Sequence, residues 1–224
     1  MDIAIVIALI ALAGSLVSTA VTVIGAPALQ ARREATAVLQ RYREPLLAAA
    51  YELQARLHNI LKNRFVEEYV LGDKGGKREA ALESTLYVFA QFFAWREIIR
   101  REVQFLRFAR DEETREVAQI LRDIGETFLT DDFGHQFMIW RVEQRGLGER
   151  MIVSSDRGPT CMGYATFIEE RPTMKEWLEP LERELLSIED EGLKRLTRLQ
   201  HLLLQLVAKL DADRTRYPFK LEKA

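Results

Sequence analysis

The chain has a single cysteine, Cys161, which excludes an intrachain disulfide and with it the stapled scaffolds of small secreted domains. A reducing compartment fits that shortage. It also lacks an excess of either charge: 32 basic against 34 acidic side chains leave a formal charge of -2, so no overall field draws in nucleic acid, and no nucleic-acid partner is expected. Histidine is scarce. His58, His135 and His201 fall outside any Glu-x-x-His, His-Glu-x-x-His or Cys-x-x-Cys setting, so neither a metal nor another cofactor is expected. His58 and His201 flank the apolar stripes of their helices, and Asp131, Asp132 and His135 read as a capping group at a helix start. The run Gly72-Asp73-Lys74-Gly75-Gly76-Lys77 lacks the spacing of a phosphate loop, and Arg78 stands where that motif needs Ser or Thr, so it reads as a turn.

What is present begins with an uncharged run over residues 3–29. At 1.5 Å rise per residue, about 20 such residues cross a hydrocarbon core of roughly 30 Å, so residues 1–29 read as a single transmembrane anchor. Only Asp2 and the amino terminus precede the run, whereas Arg32, Arg33, Arg41 and Arg43 follow it. That bias places the N-terminus outside and the remainder on the cytoplasmic side. A cleaved signal peptide is the rival reading, because Ala26-Pro27-Ala28 supplies small residues, but the run has no basic segment before it and exceeds the usual signal length. Along the run, Ala4, Ala8, Ala11, Ser15 and Ser18 recur at steps of three and four with Gly14 beside them, a face that permits close helix approach and hence a homo-oligomer or docking to another membrane helix.

After the anchor, 48% hydrophobic and 29% charged residues give the balance of a foldable globular chain. The expected class is all-α: the transmembrane helix, a juxtamembrane helix over 30–44, and a soluble multi-helix bundle over 45–224. Pro45 is expected to open a fresh helix with Leu46, Ala50, Leu53, Leu57, Ile60 and Leu61 on one stripe. Residues 78–110 are apolar around most of the circumference, through Leu82, Leu86, Phe89, Phe92, Phe93, Trp95, Ile98 and Ile99, which predicts a central buried helix. Arg96 and Glu97 interrupt it and read as a structural ion pair. An amphipathic helix is expected from Asp111 to about Thr130, and a helix loosened at Gly146 and Gly148 over 133–152. Residues 154–159 read as a polar turn and 160–169 as ambiguous. Thr173 with Glu176 predicts a capping box before a helix that Pro180 kinks, and the leucines from Leu193 to Leu210 predict a heptad-like seam packed within the bundle.

One constellation stands out for chemistry: Arg141, Glu143, Gln144, Arg145 and Glu149. Arg145 and Glu149 are spaced for an i,i+4 ion pair with Arg141 on the same face, the ordinary surface explanation. The functional alternative is a polar pocket in which the arginines hold an anion and Glu143 acts on a proton. Cys161 has no nearby histidine and reads as inert packing.

The stretches 43–60 (R-E-P-L-L-A-A-A-Y-E-L-Q-A-R-L-H-N-I), 96–105 (R-E-I-I-R-R-E-V-Q-F) and 137–149 together resemble an uncharacterised family of bacterial proteins, common in actinobacteria, that are helical and carry an N-terminal membrane anchor. The resemblance implies a bacterial inner-membrane protein and assigns no residue a role. The functional expectation is a membrane-tethered helical interaction or sensor module without catalytic activity, its partner another protein or a second copy. The alternatives are an oligomerising membrane-disrupting effector and an enzyme built on Arg141, Glu143 and Arg145.

Overall fold

The computed structural model describes residues 26–102, 112–156, 158–217 and 223–224, with side chains from residue 40 onward except that of residue 102. Residues 3–25 of the apolar run, and with them the small-residue face Ala8, Ala11, Gly14, Ser15 and Ser18, lie outside the described residues. Among the described residues no helix is long and apolar enough to cross a membrane.

The described chain is predominantly helical. Helix α1 runs over Ala26–Asn63 and contains Pro45, so the juxtamembrane segment and the first helix of the body are one element and not two. A proline inside a helix removes one hydrogen bond at a cost of about 3 kcal/mol. Burial offsets it here: Tyr42, Leu46, Leu47, Ala49 and Ala50 around the proline are all buried, and a fully buried leucine contributes about 1.5–3 kcal/mol. Arg43 secures the same turn, donating from Nε to the Leu210 carbonyl at 2.8 Å and pairing with Glu113 at 2.7 Å. The expected stripe of Leu46, Ala50, Leu53, Leu57 and Ile60 is buried.

A π-helical turn, Val66–Leu71, and the turn around Gly75 and Gly76, both at positive φ, lead to α2, Arg78–Glu102. As its composition predicts, α2 is the central helix, with Leu86, Phe89, Phe92, Phe93 and Ile98 buried. Helix α3, Glu112–Thr127, lays one apolar face against the body. Next comes α4, Arg141–Arg150, so the segment 133–140 is not helical as the sequence suggested. Gly134 and Phe137 stand at positive φ, +80° and +54°, which takes the backbone out of the helical region. Arg195, fully buried, donates to the carbonyls of Thr127, Thr130, Gly134 and Gln136 and so holds the non-helical path from the far side of the chain.

Residues 152–161, read from sequence as a polar turn and an ambiguous segment, form an antiparallel hairpin: β1, Ile152–Ser155, pairs with β2, Gly158–Cys161, from Ile152↔Cys161 to Ser155↔Gly158. Gly158 turns the chain at φ +106°. The class is therefore predominantly helical with one small sheet, and not all-α throughout. Helix α5, Tyr164–Glu170, and a 3-10 turn, Arg171–Met174, precede α6, Lys175–Leu186, which continues through Pro180. Thr173 does not cap α6 with Glu176; its hydroxyl donates to the Glu170 carbonyl at 2.8 Å and holds the 3-10 turn. Helix α7, Asp190–Leu210, places Leu196, Leu199, Leu203, Leu206 and Leu210 in the core against α1 and α3, so its heptad-like seam packs within the chain.

Candidate functional site

The polar cluster on α4 is organised by one amide. Gln144 is buried; its Nε2 donates to the Ile139 carbonyl at 2.7 Å and to the Gly125 carbonyl at 3.3 Å, and its Oε1 accepts from Arg96 Nη1 at 2.5 Å. These bonds tie α4 to the end of α3 and draw the Arg96 guanidinium from α2 between them. The fit depends on two glycines. A Cβ at Gly125 would lie 2.1 Å from Arg96 Nη2, and one at Gly148 would lie 2.6 Å from the Phe93 carbonyl oxygen where α4 crosses α2.

Arg96 does not pair with Glu97 as its neighbour in sequence. Glu97, only 3% exposed, accepts from Arg100 at 2.6 and 2.7 Å and from Arg101 at 2.7 Å. Burial pushes the Glu97 carboxyl up, but the bonds from Arg100 and Arg101 outweigh it and hold the group below its ordinary value. Arg101 also reaches Glu149 at 2.6 Å, so Glu149 serves this α2 network and not the expected pair with Arg145. Glu143 accepts the Trp140 backbone N–H at 2.7 Å and so closes the first turn of α4, a capping role.

What remains around Arg96 is positive. Arg141 and Arg145 stand one helical turn apart on α4, on either side of Gln144. Arg141 pairs with Glu126 at 2.5 Å; Arg145, half-buried, has no hydrogen bond or ion pair among the described residues. Burial pushes the Arg96 guanidinium down to about 10, with Arg141 and Arg145 adding to the shift and Glu97 and Glu126 opposing it, so the group stays charged at neutral pH. The structure thus brings Arg141, Gln144 and Arg145 together, adds Arg96, Gly125 and Glu126, and sends Glu143 and Glu149 elsewhere. Arg96 was visible as a charge within an apolar helix; its partner on α4, 48 residues away, carried no local signal.

A second polar seam lies where α1 and α2 meet the hairpin. Glu52, raised by burial against the opposing bond from Gln91, is close enough to Cys161 and Tyr87 to raise both further. Burial pushes the Cys161 thiol up to about 12, which makes it a poor nucleophile at neutral pH, in keeping with its packing role. Tyr87 donates to the Met162 carbonyl at 3.2 Å, and Arg56 binds Ser84 at 3.1 Å while lying over the Phe65 ring.

The histidines stand apart from both clusters. His201 Nε2 lies 3.3 Å from the Ala224 carbonyl oxygen, and the His135 backbone N–H donates to Glu191. Asp131, Asp132 and His135 sit in the segment gathered by Arg195, and among the described residues no group of three or more His, Cys, Asp or Glu side chains is placed to hold a metal ion. Comparison with protein-family models, curated proteins and solved structures finds no match to this chain.

Proposed function

We propose that this chain is a membrane-tethered helical module that binds another protein or reports on the membrane, without catalytic activity of its own. It resides in the bacterial inner membrane as a single-pass protein, N-terminus outside and helical body in the cytoplasm. Its partner is another protein or a second copy of itself, met through the small-residue face of the anchor.

The observation that carries this reading is the continuity of α1. The helix starts at Ala26, inside the uncharged run of residues 3–29, and its buried face begins by Tyr42 and extends to Ile60 with no break at Pro45. At 1.5 Å per residue its 38 residues measure about 57 Å. A rod held in a bilayer at one end and packed into the core at the other conveys tilt or displacement of the anchor to the body, which a flexible tether would not do. The arginines at positions 32, 33, 41 and 43, all after the run, favour the orientation.

Alkaline carbonate extraction of membranes from cells expressing the full chain tests the tether. The chain is expected in the pellet, and a variant with Leu12→Arg and Val17→Arg in the supernatant, because a charge near the centre of a span costs about 2.5–3.5 kcal/mol. Wild-type chain released by carbonate overturns the reading.

A further inference from the structure

Arg96 on α2 is bonded to Gln144 of α4, Arg141 on α4 is bonded to Glu126 of α3, and Arg145 lies one turn on from Arg141, so three arginines stand near the junction of α2, α3 and α4 and the acids around them do not neutralise all three. Glu126 is bonded to Arg141. Glu143 is held by the Trp140 N–H, Glu97 by Arg100 and Arg101, and Glu149 by Arg101. Among the described residues Arg96 bonds only the neutral Gln144 amide, and Arg145 bonds nothing. Both are half-buried, so their charges are not fully hydrated by water.

The arrangement is also built rather than incidental. Gln144 is fixed by the Ile139 and Gly125 carbonyls, and it in turn fixes Arg96. Gly125 leaves room for the guanidinium where it lies, since a Cβ there would meet it at 2.1 Å. Two arginines one turn apart on α4 then stand beside a third that is held by the Gln144 amide. A single arginine satisfies a carboxylate through two parallel bonds; three arginines from two helices offer enough donors for a tetrahedral oxyanion with three or four acceptor oxygens.

We propose that Arg96, Arg141 and Arg145 form a binding site for a phosphate group, with Gln144 as the positioning residue and Glu126 as the internal carboxylate that the phosphate displaces from Arg141. The site goes beyond the tether and does not rest on it. A diffusible phosphate and an anionic lipid headgroup share this chemistry, and the experiment separates them.

The test is thermal unfolding of the full chain in neutral detergent, with inorganic phosphate added at constant ionic strength against chloride, and in parallel with phosphatidic acid mixed into the micelles. At a phosphate concentration ten times its Kd, the midpoint is expected to rise by about 3–6 °C for a chain of this size. Arg145→Ala, which breaks no bond among the described residues, is expected to abolish the rise. Arg145→Lys restores part of it, and Glu126→Gln lowers the Kd several-fold by removing the competitor. A rise with inorganic phosphate assigns a diffusible ligand. A rise with phosphatidic acid alone, equally lost in Arg145→Ala, assigns a lipid headgroup. The same rise in wild type and Arg145→Ala marks a general salt or surface effect and overturns the site, as does the absence of any rise in both arms.

Discussion

Arg195→Met isolates what one buried guanidinium does for the fold. Methionine keeps the length and apolar stem of the side chain but removes every donor. The carbonyls of Thr127, Thr130, Gly134 and Gln136 then lose their partner at once. A buried acceptor left unpaired costs about 1–3 kcal/mol, and the Thr127 carbonyl, whose bond is buried, bears the full amount. The other three bonds are part-buried, so water recovers some of their cost. The contact of the guanidinium with the Phe133 ring, 5.7 Å from its centroid, is lost as well. The sum is about 3–5 kcal/mol, in the range found when a buried charged group is taken out of its network. At about 2–4 °C per kcal/mol for a chain of this size, the midpoint falls by about 6–20 °C in a circular-dichroism melt. Limited proteolysis is expected to cut the variant first within residues 128–140, while α1 and α2 stay protected. Arg195→Lys is expected to recover little, because an ammonium cannot reach four acceptors in a fork. A midpoint within 2 °C of wild type for Arg195→Met, an effect below about 1 kcal/mol, would refute the claim that Arg195 organises this segment.

Three further outcomes follow from the packing. Gly148→Ala drives a methyl into the Phe93 carbonyl oxygen and is expected to lower stability by about 1–3 kcal/mol in urea titration, whereas Ala at the open Gly163 leaves it unchanged within about 0.5 kcal/mol. The Cys161 thiol, half-buried and raised to about 12, is expected to react with iodoacetamide at pH 8 at least about 100-fold more slowly than a free cysteine and to reach the free rate on unfolding; native-state labelling at the free rate refutes the raised thiol. Because its folded value lies above the unfolded one of about 8.5, its contribution to stability is complete below that pH and is lost as pH rises toward 12. Glu97 has the opposite sign: its carboxyl lies below its ordinary value, so it stabilises above the unfolded value of about 4.3 and that contribution is lost as pH falls. Glu97→Gln is expected to cost about 2–3 kcal/mol at pH 7 and to flatten the acid limb of a pH-stability profile; an unchanged limb removes Glu97 from the account.

The long helices were legible because local periodicity determines them. The stripe from Leu46 to Ile60, the apolar circumference from Leu86 to Ile98 and the leucines of α7 are each buried as their spacing predicts. What the sequence concealed depends on distant partners or on very short elements. Strands Ile152–Ser155 and Gly158–Cys161 have four residues each, with three exposed residues in the first and all four half-buried in the second, so neither shows the alternation that marks a strand. Residues 133–140 look helical, but positive φ at Gly134 and Phe137 and the bonds from Arg195 to the Gly134 and Gln136 carbonyls hold them otherwise. Pro45 suggested a boundary because the local rule is strong, and tertiary burial overrode it. In the candidate site, i,i+4 spacing correctly put Arg141 and Arg145 on one face but also paired Arg145 with Glu149, which the α2 arginine Arg101 takes instead. The charge at Arg96 was visible, while its association with Gln144 required the fold.

The proposed function stands on one helix that runs from the proposed anchor into the core. Hydrogen–deuterium exchange of the full chain in lipid nanodiscs, read over peptides covering residues 26–50, tests it directly. The continuous α1 is expected to protect the segment 30–44 by at least about 100-fold over an unstructured peptide, in step with the buried segment that follows it. Exchange over 30–44 at the unstructured rate, with protection beginning only after Pro45, would mean that anchor and body are joined by a flexible linker and would contradict the account.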